Sequence, residues 1–93
     1  MMQKYDVIFT PTFRKDYKLA QKRGYDVSLL QEVVAMLANG EALPEKYHDH
    51  SLIGNYRNYR ECHIKPDWLL VYQIDNEQLI LFLMRTGTHS DLF

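Results

Sequence analysis

YRECHIKPDWLLVYQIDNEQLILFLMR, residues 59–85, is the stretch that decides the fold. It holds three runs of strand length, Tyr59–Ile64, Trp68–Ile74 and Leu79–Arg85, separated by KPD and DNEQ. Short β-rich runs bounded by proline, aspartate and asparagine predict an antiparallel meander. Period-two alternation places Trp68, Leu70, Tyr72 and Ile74 on one face of the second run, and Leu79, Leu81, Leu83 and Arg85 on one face of the third. Leu69, Val71, Ile80, Phe82 and Met84 take the opposite faces. Both sides of these strands are apolar, so both need cover. A helical layer supplies one; the tail, the N-terminal segment or a partner supplies the other.

Upstream of the meander the period changes. Tyr5–Phe9 (YDVIF) is short and β-rich and predicts a first strand. Thr10 or Thr12, on either side of Pro11, can cap a helix in which Phe13, Tyr17 and Ala20 recur at helical spacing. Gly24 ends it. Asp26 or Ser28 caps a second helix, whose stripe of Leu29, Leu30, Val33, Val34 and Leu37 stops near Asn39–Gly40. Residues 45–58 (EKYHDHSLIGNYRN) are polar and irregular and predict a loop, and TGTHSDLF forms the tail. The order β-αα-βββ predicts one α+β domain spanning residues 1–93, with an antiparallel sheet packed against a two-helix hairpin.

Composition narrows the function classes. The 93 residues are 46% hydrophobic and 25% charged, and their net charge is −1. Residues 1–40 carry six basic and four acidic side chains, and residues 41–93 carry five and eight. Bulk electrostatic capture of nucleic acid is therefore excluded, and any anion site must be local. Cys62 is the single cysteine, which rules out an internal disulfide. No apolar run approaches the ~20 residues of a membrane span. MMQKYDVIF lacks the apolar region of a secretory signal, so a cytoplasmic location without a membrane partner is expected.

The chemically capable groups all follow residue 46: His48, Asp49, His50, Arg57, Arg60, Cys62, His63, Asp67, Arg85 and His89. In a meander the end of the first strand (His63) lies beside the start of the second (Asp67, Trp68), and the third returns Arg85 to the same rim. His89 follows through TGT, read as flexible, and His50 is within reach from the preceding loop. Imidazoles, a carboxylate and a guanidinium suit acid–base chemistry on a phosphate ester. Histidine moves protons near neutrality, and arginine's planar fork grips phosphate. A zinc site from His48-Asp49-His50 with Cys62, His63 or His89 has the right donor types. Its spacing fits no closed finger pattern, and regular alternation turns Cys62 and His63 to opposite faces, so no metal or other cofactor is expected. The same faces argue against a Cys62–His63 nucleophile pair.

YHDHSLIGNYRNYRECHIKPDWLLVYQI and RTGTHSDLF, with KLAQKRGYD earlier, resemble the YafQ branch of the RelE superfamily of bacterial toxins. The resemblance implies a small α+β toxin of a type II toxin–antitoxin pair, a ribosome-dependent mRNA endoribonuclease. It places active residues at His50, His63, Asp67, Arg85, His89 and Phe93, the last near the substrate, with Trp68 adjoining them; Arg60 is a further expected substrate contact. Of these His89 is the expected acid, and His50 or Asp67 the base. It also implies a cognate antitoxin, the ribosome and mRNA as partners, and DNA only indirectly through the antitoxin complex. A catalytically inactive relative, retaining only ribosome or antitoxin binding, is the contrasting expectation.

Overall fold

The computed structural model describes residues 3–93; the first two residues of MMQKYDVIF lie outside them. The elements in chain order are β1 (Asp6–Phe9), α1 (Pro11–Lys22), α2 (Val27–Ala38), β2 (His50–Ser51), β3 (Arg60–Lys65), β4 (Trp68–Asp75), β5 (Ile80–Gly87) and α3 (His89–Leu92). Single 3-10 turns at Glu45–Tyr47 and Gly54–Tyr56 punctuate the loop before β3. The five strands form one sheet in the order β1-β5-β4-β3-β2.

The meander β3-β4-β5 is antiparallel, as its alternation and turns require. β1 completes a mixed sheet by pairing parallel to β5, with Asp6 opposite Ile80 and Phe9 opposite Leu83. The two helices between β1 and the meander carry the chain across the sheet, which makes that parallel pairing possible. Thr10 is the first cap: its hydroxyl oxygen accepts from the Phe13 N–H at 3.0 Å, with Pro11 at the first helical position. Asp26 caps α2 through the Ser28 N–H at 3.1 Å.

The core lies between the helices and one face of the sheet. Phe13, Ala20, Leu30, Val33 and Leu37 pack there against Cys62, Trp68, Leu70, Tyr72, Leu81 and Leu83. Leu69 and Val71 are buried on the other face. Val71 there shares a cavity with Tyr56, Tyr59 and Leu92. The loop before β3 and the tail thus help cover the second apolar face.

Two departures from regular alternation position the site. A bulge between β4 and β5 pairs Val71 with Arg85 but Tyr72 with Leu83, leaving Met84 as the extra residue. Unbroken alternation would set Arg85 beside Leu81 and Leu83 in the core. The bulge turns it to the outer face, opposite Val71, and sends Thr86 inward opposite Leu70. The tail is the second departure. Thr86 and Gly87 belong to β5, and Thr88 begins a capping box: its hydroxyl oxygen accepts from the Asp91 N–H, while the Asp91 carboxylate accepts from the Thr88 N–H. TGT is therefore a fixed corner rather than a flexible link.

Candidate active site

The outer rim is built from four imidazoles. His63 is their centre, with ring centroids 5.8 Å from His48, 6.2 Å from His50 and 5.9 Å from His89. His63 ends β3 at an irregularity before Lys65, His50 opens β2, and His89 is the first residue of α3. β2 pairs with β3 so that His50 lies opposite Glu61, two residues before His63 on the same face.

Three of the imidazoles, His50, His63 and His89, are oriented through Nδ1. His50 Nδ1 donates to the His48 carbonyl at 2.7 Å, which the left-handed backbone of His48 (φ 48°) turns toward it. His63 Nδ1 donates to the Pro66 carbonyl at 3.2 Å. A carbonyl oxygen can only accept, so these contacts fix the proton on Nδ1 and leave Nε2 as the atom that exchanges protons. His89 Nδ1 meets Asp67 Oδ1 at 2.8 Å, and the His89 backbone N–H donates to the same oxygen at 3.1 Å. Those hydrogen bonds hold the Asp67 carboxyl below its usual range, so it stays ionised.

Glu61 completes the cluster. Its side chain is only 7% exposed, and its Oε1 lies 3.4 Å from His50 Nε2 and 3.8 Å from His63 Nε2. Sequence reasoning passed over Glu61, although alternation puts it on His63's face and could have found it. Donor atoms of His50, Glu61 and His63 all lie within 4.8 Å of one another, a set able to hold a transition-metal ion. Both histidines keep the outer carbonyl contacts that such ligands use. Cys62 is no part of the set: it is fully buried on the core side, and burial pushes its thiol up to about 12.

Arg85 lies on the same outer face as the imidazoles, opposite Val71, which is itself opposite Glu61. Its Nε and Nη2 donate to Asp16 of α1 at 2.8 and 3.2 Å, and Asp16 also accepts from the Thr86 N–H at 3.1 Å. β1 ends opposite Leu83, so Asp16 caps the edge of β5 beyond it. Arg85 shares a neighbouring cavity with Phe93, at the far end of α3 from His89. α3 thus runs from His89, among the imidazoles, to Phe93, beside the Arg85 guanidinium. Arg23 clamps α3 with two bonds to Asp91, at 2.6 and 3.2 Å.

Two residues expected near the substrate, Trp68 and Arg60, fall on the core-side face of the sheet. Trp68 is 3% exposed on the core face, its ring 5.0 Å from Tyr25. Its Nε1–H donates to Thr86 Oγ1 at 2.9 Å, and that hydroxyl donates to the Leu69 carbonyl at 2.7 Å. The start of β4 turns the indole inward, where it lines a cavity with Asp67 and Thr88 beneath the rim. Arg60 falls on the core-side face with Tyr72, opposite to His63, and donates to Ser51 Oγ at 2.7 Å and Asp49 Oδ2 at 3.0 Å. Asp49 also accepts from the Tyr72 hydroxyl at 2.5 Å, which anchors the loop between His48 and His50. Nothing in the sequence signalled the roles of Asp16, Arg23 or Asp49, because each partner is distant along the chain.

The family described as a bacterial toxin of type II toxin-antitoxin systems, YafQ, matches residues 5–93. The mRNA interferase toxin YafQ of Escherichia coli strain K12 is 40% identical over 89 residues, 95% of each chain. The crystal structure of the E. coli DinJ-YafQ toxin-antitoxin complex contains a chain of the same fold, with TM-score 0.89, 40% identity and coverage of 97% of this chain and 98% of that one. A metal-bound toxin from Helicobacter pylori matches with TM-score 0.89 and 47% identity over 99% and 100% of the two chains.

Proposed function

The chain belongs to the YafQ family of bacterial type II toxins, and on that premise we propose that it is an endoribonuclease cutting mRNA on the ribosome by metal-free acid–base chemistry. The observation that carries this reading is His89, held on Asp67 at 2.8 Å within a row of imidazoles. With Nδ1 occupied, His89 Nε2 is free to give its proton to the departing 5′ oxygen. His50 takes the proton of the attacking 2′ hydroxyl through Nε2, and the 2′ oxygen closes on phosphorus to leave a 2′,3′-cyclic phosphate. Asp67 is spent orienting His89, which favours His50 over Asp67 as base. His63 bridges the two and orients them. Arg85, its charge steadied by Asp16, holds the phosphate as negative charge builds.

A cognate antitoxin is the expected partner, by likeness to the E. coli protein complexed with DinJ. Brief induction should arrest growth and produce mRNA ends within translated frames. His89→Ala should lower cleavage about 10²–10⁴-fold as loss of a proton donor. Arg85→Ala should cost about 10²–10³-fold. Ribosome binding without scission by the wild-type protein would assign it to the inactive class instead.

A second reading rests on His50, Glu61 and His63, whose donors converge as described, and on the metal-bound relative. Here a transition-metal ion occupies the imidazoles and blocks the proton relay. Full cleavage in excess chelator, with inhibition by added copper or zinc that Glu61→Gln relieves, would identify the metal as an inhibitor rather than a participant.

A further inference from the structure

Tyr56 belongs to no role assigned so far, yet it is among the most exposed aromatic side chains of the protein. It is 45% exposed, and Phe93 beside it is 59% exposed. The two rings meet edge to face, centroids 5.6 Å apart at 87°, so they form two walls of a right-angled notch. Tyr59 lies 6.4 Å from Tyr56 on its other side. The notch opens on a cavity of about 250 Å³ lined by Tyr56, Tyr59, Thr12, Met84, Arg85 and Phe93. Aromatic rings, the Met84 thioether and the aliphatic Val71 and Leu92 line it, with the hydroxyls of Thr10, Thr12 and the two tyrosines and the Arg85 guanidinium as its polar groups.

We infer that this notch is a nucleobase subsite: Tyr56 and Phe93 clasp one unstacked base of the RNA while Arg85 holds the phosphate next to it. The inference rests on the endoribonuclease reading, which already sets Phe93 near the substrate and Arg85 on the phosphate, and extends it to Tyr56, which that reading leaves idle. Three observations support it. Exposed aromatics beside a guanidinium are the usual means of gripping a splayed base, whose π-face every nucleotide offers. The notch is tied to the acid by a single helical turn, because the Phe93 N–H bonds the His89 carbonyl at 2.9 Å. The Tyr56 side is also held by backbone: the Gly54–Tyr56 turn has Gly54 at φ +67°, and the Tyr59 N–H bonds the Tyr56 carbonyl at 2.8 Å. A base seated there belongs to a nucleotide adjoining the scissile phosphate.

The test uses the full chain on ribosomes programmed with a defined mRNA, measuring kcat/KM and the position of each cut. Tyr56→Ala should lower kcat/KM about 5- to 150-fold, the value of one aromatic stack. Tyr56→Phe, which keeps the ring, should recover most of that loss. As a second measurement, 2-aminopurine placed beside the cleavage point should be quenched on binding to the cleavage-blocked His89→Gln protein. Adding Tyr56→Ala to that protein should relieve the quenching. Unchanged kcat/KM and quenching in the Tyr56→Ala proteins would overturn the subsite and leave the nuclease standing. A loss shared equally by Tyr56→Phe would also overturn it, since the hydroxyl and not the ring face would then be the contact. Failure of the wild-type protein to cut would instead overturn the nuclease reading, and the subsite with it.

Discussion

Replacing Thr86 with valine tests whether the floor beneath the rim is held by one buried hydroxyl. Thr86 is 2% exposed, accepts from Trp68 Nε1–H at 2.9 Å and donates to the Leu69 carbonyl at 2.7 Å. Valine matches its shape, so cavity terms are small and polar terms decide the outcome. An indole N–H left without a partner in the core costs about 1–3 kcal/mol, and the lost bond to Leu69 about 0.5–1.5 kcal/mol more. Against a total stability of about 5–15 kcal/mol, a loss near 2–4 kcal/mol is large. Each kcal/mol should lower Tm by about 4–8 °C for a domain of this size. Urea titration of Thr86→Val, Trp68→Phe and the double variant should give a double-variant loss smaller than the summed singles by about 1–3 kcal/mol, because the first bond is shared. A Thr86→Val protein within about 0.5 kcal/mol of wild type, at the scale of an ordinary surface change, would refute the reasoning.

Asp49→Ala should strand the buried Tyr72 hydroxyl and cost about 1–3 kcal/mol in urea titration, and Tyr72→Phe in the same background should recover much of it. Arg23→Ala should loosen α3 and reduce mRNA cleavage by up to about 10²-fold through misplacement of His89. Its Tm should barely move, since exposed ion pairs contribute little. Arg23 holds the Asp91 carboxyl well below the usual range. That folded-state depression stabilises the protein above the unfolded carboxylate pKa and is lost only as pH falls through the lower folded value. The clamp should therefore persist across neutral and mildly acidic pH in amide-exchange measurements. Cys62, with its thiol pushed up to about 12 by burial, should resist thiol reagents at pH 8 in the native protein and react fully in denaturant.

Much of the architecture is local information. Hydrophobic periodicity, Thr10, Asp26, Gly24 and the KPD and DNEQ turns suffice for the two helices and the meander, because side-chain period and cap chemistry act over a few residues. The gathering of His63, Asp67 and His89 was legible for the same reason, since strand order alone brings their chain positions together. Arg85 was harder. Regular alternation assigns it to the core face, and a bulge at Met84 reverses that. Glu61 was readable but overlooked. Trp68, expected near the substrate, is buried on the core face beneath the rim.

The sequence by itself determined which groups this protein can bring to bear: the helices, the three-stranded meander and a rim rich in imidazole. Only the tertiary structure decided how those groups face one another. The parallel seat of β1, the pairing of Arg85 with Asp16 across 69 residues, the Arg23 clamp on α3 and the meeting of Tyr56 with Phe93 all join residues far apart in the chain. Periodicity and capping carry no information about such pairs. They form because each buried donor, exposed strand edge and free carboxylate must find a partner once the layers close.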